Sequence, residues 1–283
     1  MSGSEQAANG SGEHVVLLHG GSAGRSPWAE HAQGWDRVGR RLEASGYRCL
    51  AVDRPGHGAR PAESIADLTF EAECAAVAEV ISRHGGSAHV VGHAEAGIVA
   101  LLLGRREMQE RFGIHVMSCA VVGGYGAEPT GDAPERVVLQ HPPAPLWSEA
   151  SQRWAVRRLT YAGDTCGHDA ADRMAAERAR AASRLLAESG AAARIAGDLL
   201  RAKGEIFAYA RDRGYDVPIS LIWGMDDPLS EPARAVELMN LLASTSAHLE
   251  LNLVDRAGHF PHRERPGEVL RLLEGFLSRR GRA

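Results

Sequence analysis

Six short, almost uninterrupted apolar runs recur along the 283-residue chain, at 14–18, 47–52, 89–91, 114–122, 218–223 and 248–254. A strand with one wet face alternates apolar and polar residues. A strand covered on both faces reads as a continuous apolar run. Stretches with helical spacing, at 35–45, 70–84 and 234–242, lie between the runs. This alternation predicts an α/β fold: a doubly wound, mostly parallel sheet of about six strands with helices on both faces.

One interval breaks the rhythm. From about 126 to 213 there is no strand-like run. The segment opens with Pro129, Pro134, Pro142, Pro143 and Pro145, then becomes rich in Ala, Arg and Glu at helical spacing. A structureless loop of that length does not fit a compact domain. The expectation is an inserted helical lid over 126–213, with the core formed by 13–125 and 214–283. Residues 1–12, mostly Gly, Ser, Asn and Ala, read as a mobile tail.

Composition excludes several classes. Thirty-two basic against 36 acidic side chains give a net charge of −4, without the basic excess that nucleic-acid phosphate demands. With 44% hydrophobic residues the chain has ample apolar surface to bury, unlike a disordered one. No apolar run reaches the ~18 residues that span a bilayer, and the first residues lack the basic start and apolar stretch of a signal peptide. Cys49, Cys74, Cys119 and Cys166 are scattered, with no C-x-x-C pair. They read as buried thiols of a reducing, cytoplasmic protein. The expected partner is a small molecule, with no nucleic acid and no membrane; a homodimer is left open.

The loops that follow the apolar runs carry unusual residues. After the first comes His19-Gly20-Gly21-Ser22-Ala23-Gly24, and after the second Asp53-Arg54-Pro55-Gly56-His57-Gly58. The third leads into Gly92-His93-Ala94-Glu95-Ala96-Gly97. The last two lead into Trp223-Gly224-Met225-Asp226-Asp227-Pro228 and Gly258-His259-Phe260-Pro261-His262. Gly20 to Gly24 do not spell a dinucleotide fingerprint or a P-loop. His259 and His262 lie three apart without a carboxylate-bearing zinc helix around them. No cofactor and no metal are expected.

From residue 14 onward this order of motifs resembles the α/β-hydrolase superfamily. The family's triad runs nucleophile, acid, histidine. The resemblance implies Asp227 as acid, His259 as base and residue 94 as the nucleophile position. It implies an oxyanion hole from the backbone N–H groups of Gly21 and Glu95. Asp226 is the fallback acid. Residue 94, however, is alanine where the family's G-x-S-x-G turn carries serine. Its methyl group cannot be acylated. A sharp turn is expected to aim the Glu95 carboxylate elsewhere. In subtilisin, loss of the serine alone costs about 10⁶ in turnover.

The first loop with Ser22 and Trp28, and the Gly-Gly-Tyr-Gly after the fourth run, are similar to hydrolases that cleave carbon–carbon bonds of ring-fission diketones. Arg178 resembles the arginine that such enzymes direct at a substrate carboxylate. His93 stands where they have asparagine, and Phe260 follows the base; both are taken as pocket residues with Ser22, Trp28 and Arg178. The first run's early start is similar to small esterases and hydroxynitrile lyases. Three readings stay open. The chain is a hydrolase of an ester or C–C bond in a small carbonyl substrate, with a substrate-trapping alanine at 94. Or it is a natural lyase, decarboxylase or cofactor-free oxygenase using His259–Asp227 as general base. Or it is a catalytically silent ligand-binding protein.

Overall fold

The structure is a computed structural model, and it describes residues 12–21, 26, 28–124, 141–163, 177, 184–243, 246 and 248–279. Six strands form one parallel sheet: β1 (His14–Leu18), β2 (Arg48–Val52), β3 (Ser87–His93), β4 (His115–Val122), β5 (Ile219–Gly224) and β6 (Leu249–Val254), in the order β2-β1-β3-β4-β5-β6. These are the six apolar runs, with ends shifted by one or two residues. The α/β expectation holds, and the sheet is parallel throughout.

The sheet separates two apolar layers. Along β1, Val16 and Leu18 enter one core cluster while Val15 and Leu17 enter the other, the period-two alternation of a strand buried on both sides. The second layer holds α1 (Asp36–Ala44) and α9 (Pro266–Leu277), through Val38, Leu42, Val269, Leu273 and Phe276. In α1 only Val38, Gly39 and Leu42 are buried. That narrow stripe makes Leu42→Ala a change costing roughly 2–5 kcal/mol.

The first layer holds α2 (Phe70–Arg83), α3 (Ala96–Leu103) and α7 (Pro232–Ala243). The Thr69 hydroxyl caps α2 by accepting from the Ala72 N–H at 3.3 Å, which satisfies one of its orphan donors. Every residue of α3 is buried. A helix apolar all round has nowhere to sit but inside, and this one runs directly out of the turn after β3. A short helix, α4 (Arg106–Phe112), leads into β4 and ends on the left-handed Gly113.

Of the stretch between β4 and β5, two helices are described: α5 (Glu149–Leu159) and α6 (Ala191–Asp212). The C-terminal half of α6 belongs to the main core, through Ala202, Ile206, Tyr209 and Ala210. In contrast, α5 lies at the carboxyl end of the sheet, where Ala155 and Leu159 pack with Trp28, Ala94, Leu229 and Phe260. The Gln152 side chain pins α5 to the first loop, accepting from the Ala29 N–H at 2.9 Å and donating to the Ala29 carbonyl at 2.7 Å. Residues 126–140, 164–176 and 178–183 of the expected lid, and the tail up to residue 11, lie outside the described residues. No helix among the described residues is long and apolar enough to cross a membrane.

Candidate active site

Strand order places β1 beside β3 at the point where the chain reverses its winding direction, and ligands of such sheets bind outside the carboxyl ends there. The loops after β1 and β3 therefore face each other, and those after β5 and β6 complete the site.

The turn after β3 is tight. Ala94 has φ of +50°, a left-handed conformation that costs a non-glycine residue roughly 1–2 kcal/mol. Its N–H donates to the Val122 carbonyl at 2.9 Å, and its own carbonyl accepts from Gly97 N–H at 3.0 Å. Gly92 is indispensable: a Cβ there would lie 2.1 Å from the Ala96 carbonyl oxygen. The sharp bend of a nucleophile elbow is thus present, with a fully buried methyl group at its apex.

Opposite, the loop after β5 presents Asp227, whose carboxylate is fixed on both oxygens. Oδ1 accepts from the N–H groups of Leu229 and Ser230 at 2.9 Å each, and Oδ2 lies 2.9 Å from Nδ1 of His259. Asp226, the fallback acid, is exposed. His259 is fully buried, and its N–H donates to the Leu159 carbonyl at the end of α5, at 2.7 Å. Burial opposes charge on its ring. The charge and hydrogen bond of Asp227, with the fields of Glu30 and Glu95, outweigh burial and raise its pKa above the usual imidazole value. Trp28 and Phe260 meet the His259 ring edge-on, with centroids 5.3 Å away in both cases.

The Glu95 side chain contradicts expectation. The turn does not send its carboxylate away from the site. It is buried, with Oε2 accepting from the Gly21 N–H at 3.2 Å and Oε1 accepting from the Ser26 hydroxyl. One of the two anticipated oxyanion donors is therefore already engaged by an internal anion. Gly21 has φ of +66°, and a Cβ there would come within 2.8 Å of the Glu30 backbone nitrogen, so no larger residue holds this N–H in place.

Three further carboxylates and a serine escaped the sequence reading. Glu30 is buried and accepts from the Trp28 indole N–H at 3.1 Å. Burial pushes its carboxyl up, but His93 at 3.0 Å, with the fields of His262 and Arg263, holds it well below the usual range. Glu264 fastens the histidine loop by accepting from the N–H groups of Gly258, Phe260 and Tyr161. Glu73 pairs with the buried Arg54 at 2.6 Å, and Ser26 holds Glu95. In sequence each looks like an ordinary surface residue. For Ser26, Glu30 and Glu264 the only signal is that they fall near the motif loops; Glu73, inside α2, carries none. His93 lies behind the bend, its Nε2–H donating to the His259 carbonyl at 2.8 Å. Ser22 and Arg178 lie outside the described residues.

Comparison with known proteins agrees with this arrangement. A sequence model described as "Alpha/beta hydrolase family" matches residues 15–272. No curated protein matches the chain. Among solved structures, a bacterial membrane phospholipase A superposes with TM-score 0.68 at 20% identity, covering 96% of this chain and 80% of its own. The 2-hydroxy-6-oxo-6-phenylhexa-2,4-dienoate hydrolase of Rhodococcus sp. strain RHA1 superposes with TM-score 0.64 at 20% identity, covering 94% and 90%. A thermophilic esterase from Thermogutta terrifontis gives TM-score 0.64 at 20% identity, covering 95% and 91%. At such identities these likenesses speak for the fold alone. With the match spanning nearly the whole chain, and the parallel sheet carrying a sharp turn after its third strand, the chain belongs to the alpha/beta hydrolase family.

Proposed function

We propose that the protein acts on a small carbonyl compound by general-base catalysis at His259, without an acyl-enzyme. The observation that carries this reading is the contrast at the bend: a buried His259–Asp227 pair at 2.9 Å shares its neighbours Trp28 and Phe260 with an alanine methyl. Asp227 accepts the Nδ1 proton and so leaves Nε2 as the basic nitrogen. His259 takes a proton from the substrate or from a water molecule, and Asp227 stabilises the imidazolium that results. Negative charge developing on the substrate oxygen falls to backbone N–H groups at Gly21 and Glu95. For Gly21 to contribute, the substrate oxygen displaces the Glu95 carboxylate. Trp28, Phe260 and α5 supply the apolar walls.

A second reading keeps the chemistry of the esterase and meta-cleavage neighbours. The chain is then an ester or C–C hydrolase whose serine has been replaced by Ala94. The likeness to a serine-to-alanine mutant of the meta-cleavage product hydrolase from Pseudomonas fluorescens IP01, with acetates bound, favours weighing it. Ala94→Ser separates the two. If the second reading holds, it gains hydrolysis of activated esters or vinylogous diketones by several orders of magnitude. Absence of any gain, combined with activity in wild type that His259→Ala abolishes, supports the general-base reading. Wild-type turnover that survives His259→Ala sinks it.

A further inference from the structure

Behind the bend, three side chains converge that the chemistry above does not use. Glu30 comes from the first loop, His93 is the last residue of β3, and His262 lies in the short helix α8 (Pro261–Glu264). All are fully buried or nearly so, and their ligating atoms lie within 4.8 Å of one another. His93 Nε2 needs its proton for the His259 carbonyl. Its Nδ1 then faces Glu30 Oε1 at 3.0 Å, a contact between two electron pairs unless something positive lies between them. A second proton on His93 accounts for that contact but not for His262. Among the described residues neither ring nitrogen of His262 has a hydrogen-bond partner, and its Nε2 lies 3.9 Å from Glu30 Oε2. A buried polar ring left without a partner destabilises the fold. One cation satisfies all three residues.

We propose that Glu30, His93 and His262 form a binding site for one first-row divalent cation of the Zn²⁺ type. Two imidazoles and a carboxylate are the donor set such ions take. With metal–ligand bonds of about 2.0–2.1 Å, donor atoms in a tetrahedral site stand roughly 3.3 Å apart, and the separations of Glu30 Oε2 from His93 Nδ1, 3.1 Å, and from His262 Nε2, 3.9 Å, bracket that value. An outer shell is in place. The His259 carbonyl fixes the His93 tautomer, the Trp28 indole N–H holds Glu30, and the Trp35 ring stacks on His262 at 4.2 Å. Such second-shell contacts orient metal ligands. The role is structural: the ion ties together the loops that carry Gly21, Ala94 and His259. The expectation of no metal had paired His262 with His259, whereas the fold turns it toward Glu30 and His93.

The test uses the full chain, expressed with zinc and dialysed, with metal content read by plasma mass spectrometry and Tm by calorimetry. The expected result is one equivalent of metal per chain, a fall in Tm on chelation, and its recovery on adding Zn²⁺ alone. His262→Phe keeps the ring stack on Trp35 and removes the ligand; it is expected to lose the metal while retaining its circular dichroism. Glu30→Gln is the second variant, expected to weaken Zn²⁺ binding by about tenfold or more. Wild type without metal and without a Tm response to Zn²⁺ overturns the proposal. So does metal retained unchanged in either variant, which would place the ion elsewhere.

Discussion

The two sides of the candidate site are held in opposite ways. On the acid–histidine side the principal side chains are fastened by hydrogen bonds: Asp227 is clamped by two backbone N–H groups, His259 by Asp227 and by the Leu159 carbonyl, and their loop by Glu264. On the bend side the backbone is just as constrained, with a left-handed residue and a glycine that tolerates no Cβ, yet no side-chain oxygen stands at its apex. The donor that should face a substrate oxygen instead faces Glu95. Strained backbone commonly marks a functional site. Here the strain at Ala94 stands without a side-chain oxygen, because Gly92, Ala96 and Val122 lock the turn through packing and hydrogen bonds that need none.

That asymmetry can be broken experimentally. The largest effect is expected on the intact side: His259→Ala removes the base and lowers turnover of an accepted substrate by about 10²–10⁴-fold, read by steady-state kinetics. Next comes the bend. Gly92→Ala drives a methyl into the Ala96 carbonyl, and denaturant unfolding should register a loss near the ~3 kcal/mol upper end of overpacking; a loss below about 1 kcal/mol would mean that the turn relaxes freely. Glu95→Ala releases the Gly21 N–H. Affinity for a small phosphonate or carboxylate should then rise by roughly tenfold, the worth of one hydrogen bond to an anion, as titration calorimetry can measure.

The smallest effect concerns pH. His259 must be neutral to act as a base, and its pKa is raised. Activity should therefore climb with pH through a midpoint above the ordinary imidazole value. Glu95→Gln keeps an acceptor for Gly21 but removes a negative field, so this midpoint should move down. An upward shift, or none, would separate Glu95 from the base electrostatically.

Much of the fold was legible because strand burial writes itself into the chain as apolar runs. The first run, 14–18, coincides with β1, and the predicted helix at 70–84 with α2 within one residue. That Asp227 and His259 meet was legible through the family resemblance, which matches them to its acid and histidine positions after the fifth and sixth runs. Glu30, Ser26 and Glu95 were not. What buries Glu30 is His93, 63 residues away, and what captures Glu95 is Gly21, 74 residues away. A carboxylate destined for the interior is spelled like one destined for water, and only the crossing of β1 and β3 distinguishes them. His262 is a further case: its neighbour in sequence, His259, faces Asp227, while its own ring turns to the opposite side of the bend.

The hydrogen bond from His259 N–H to the Leu159 carbonyl joins two parts usually treated as separate, helix α5 between β4 and β5 and the loop after β6 that carries the imidazole. Gln152 fastens the same helix to the loop bearing Trp28. Moving α5 would therefore pull on the peptide unit that carries the imidazole, so the position of this helix and the register of His259 against Asp227 share one mechanical linkage.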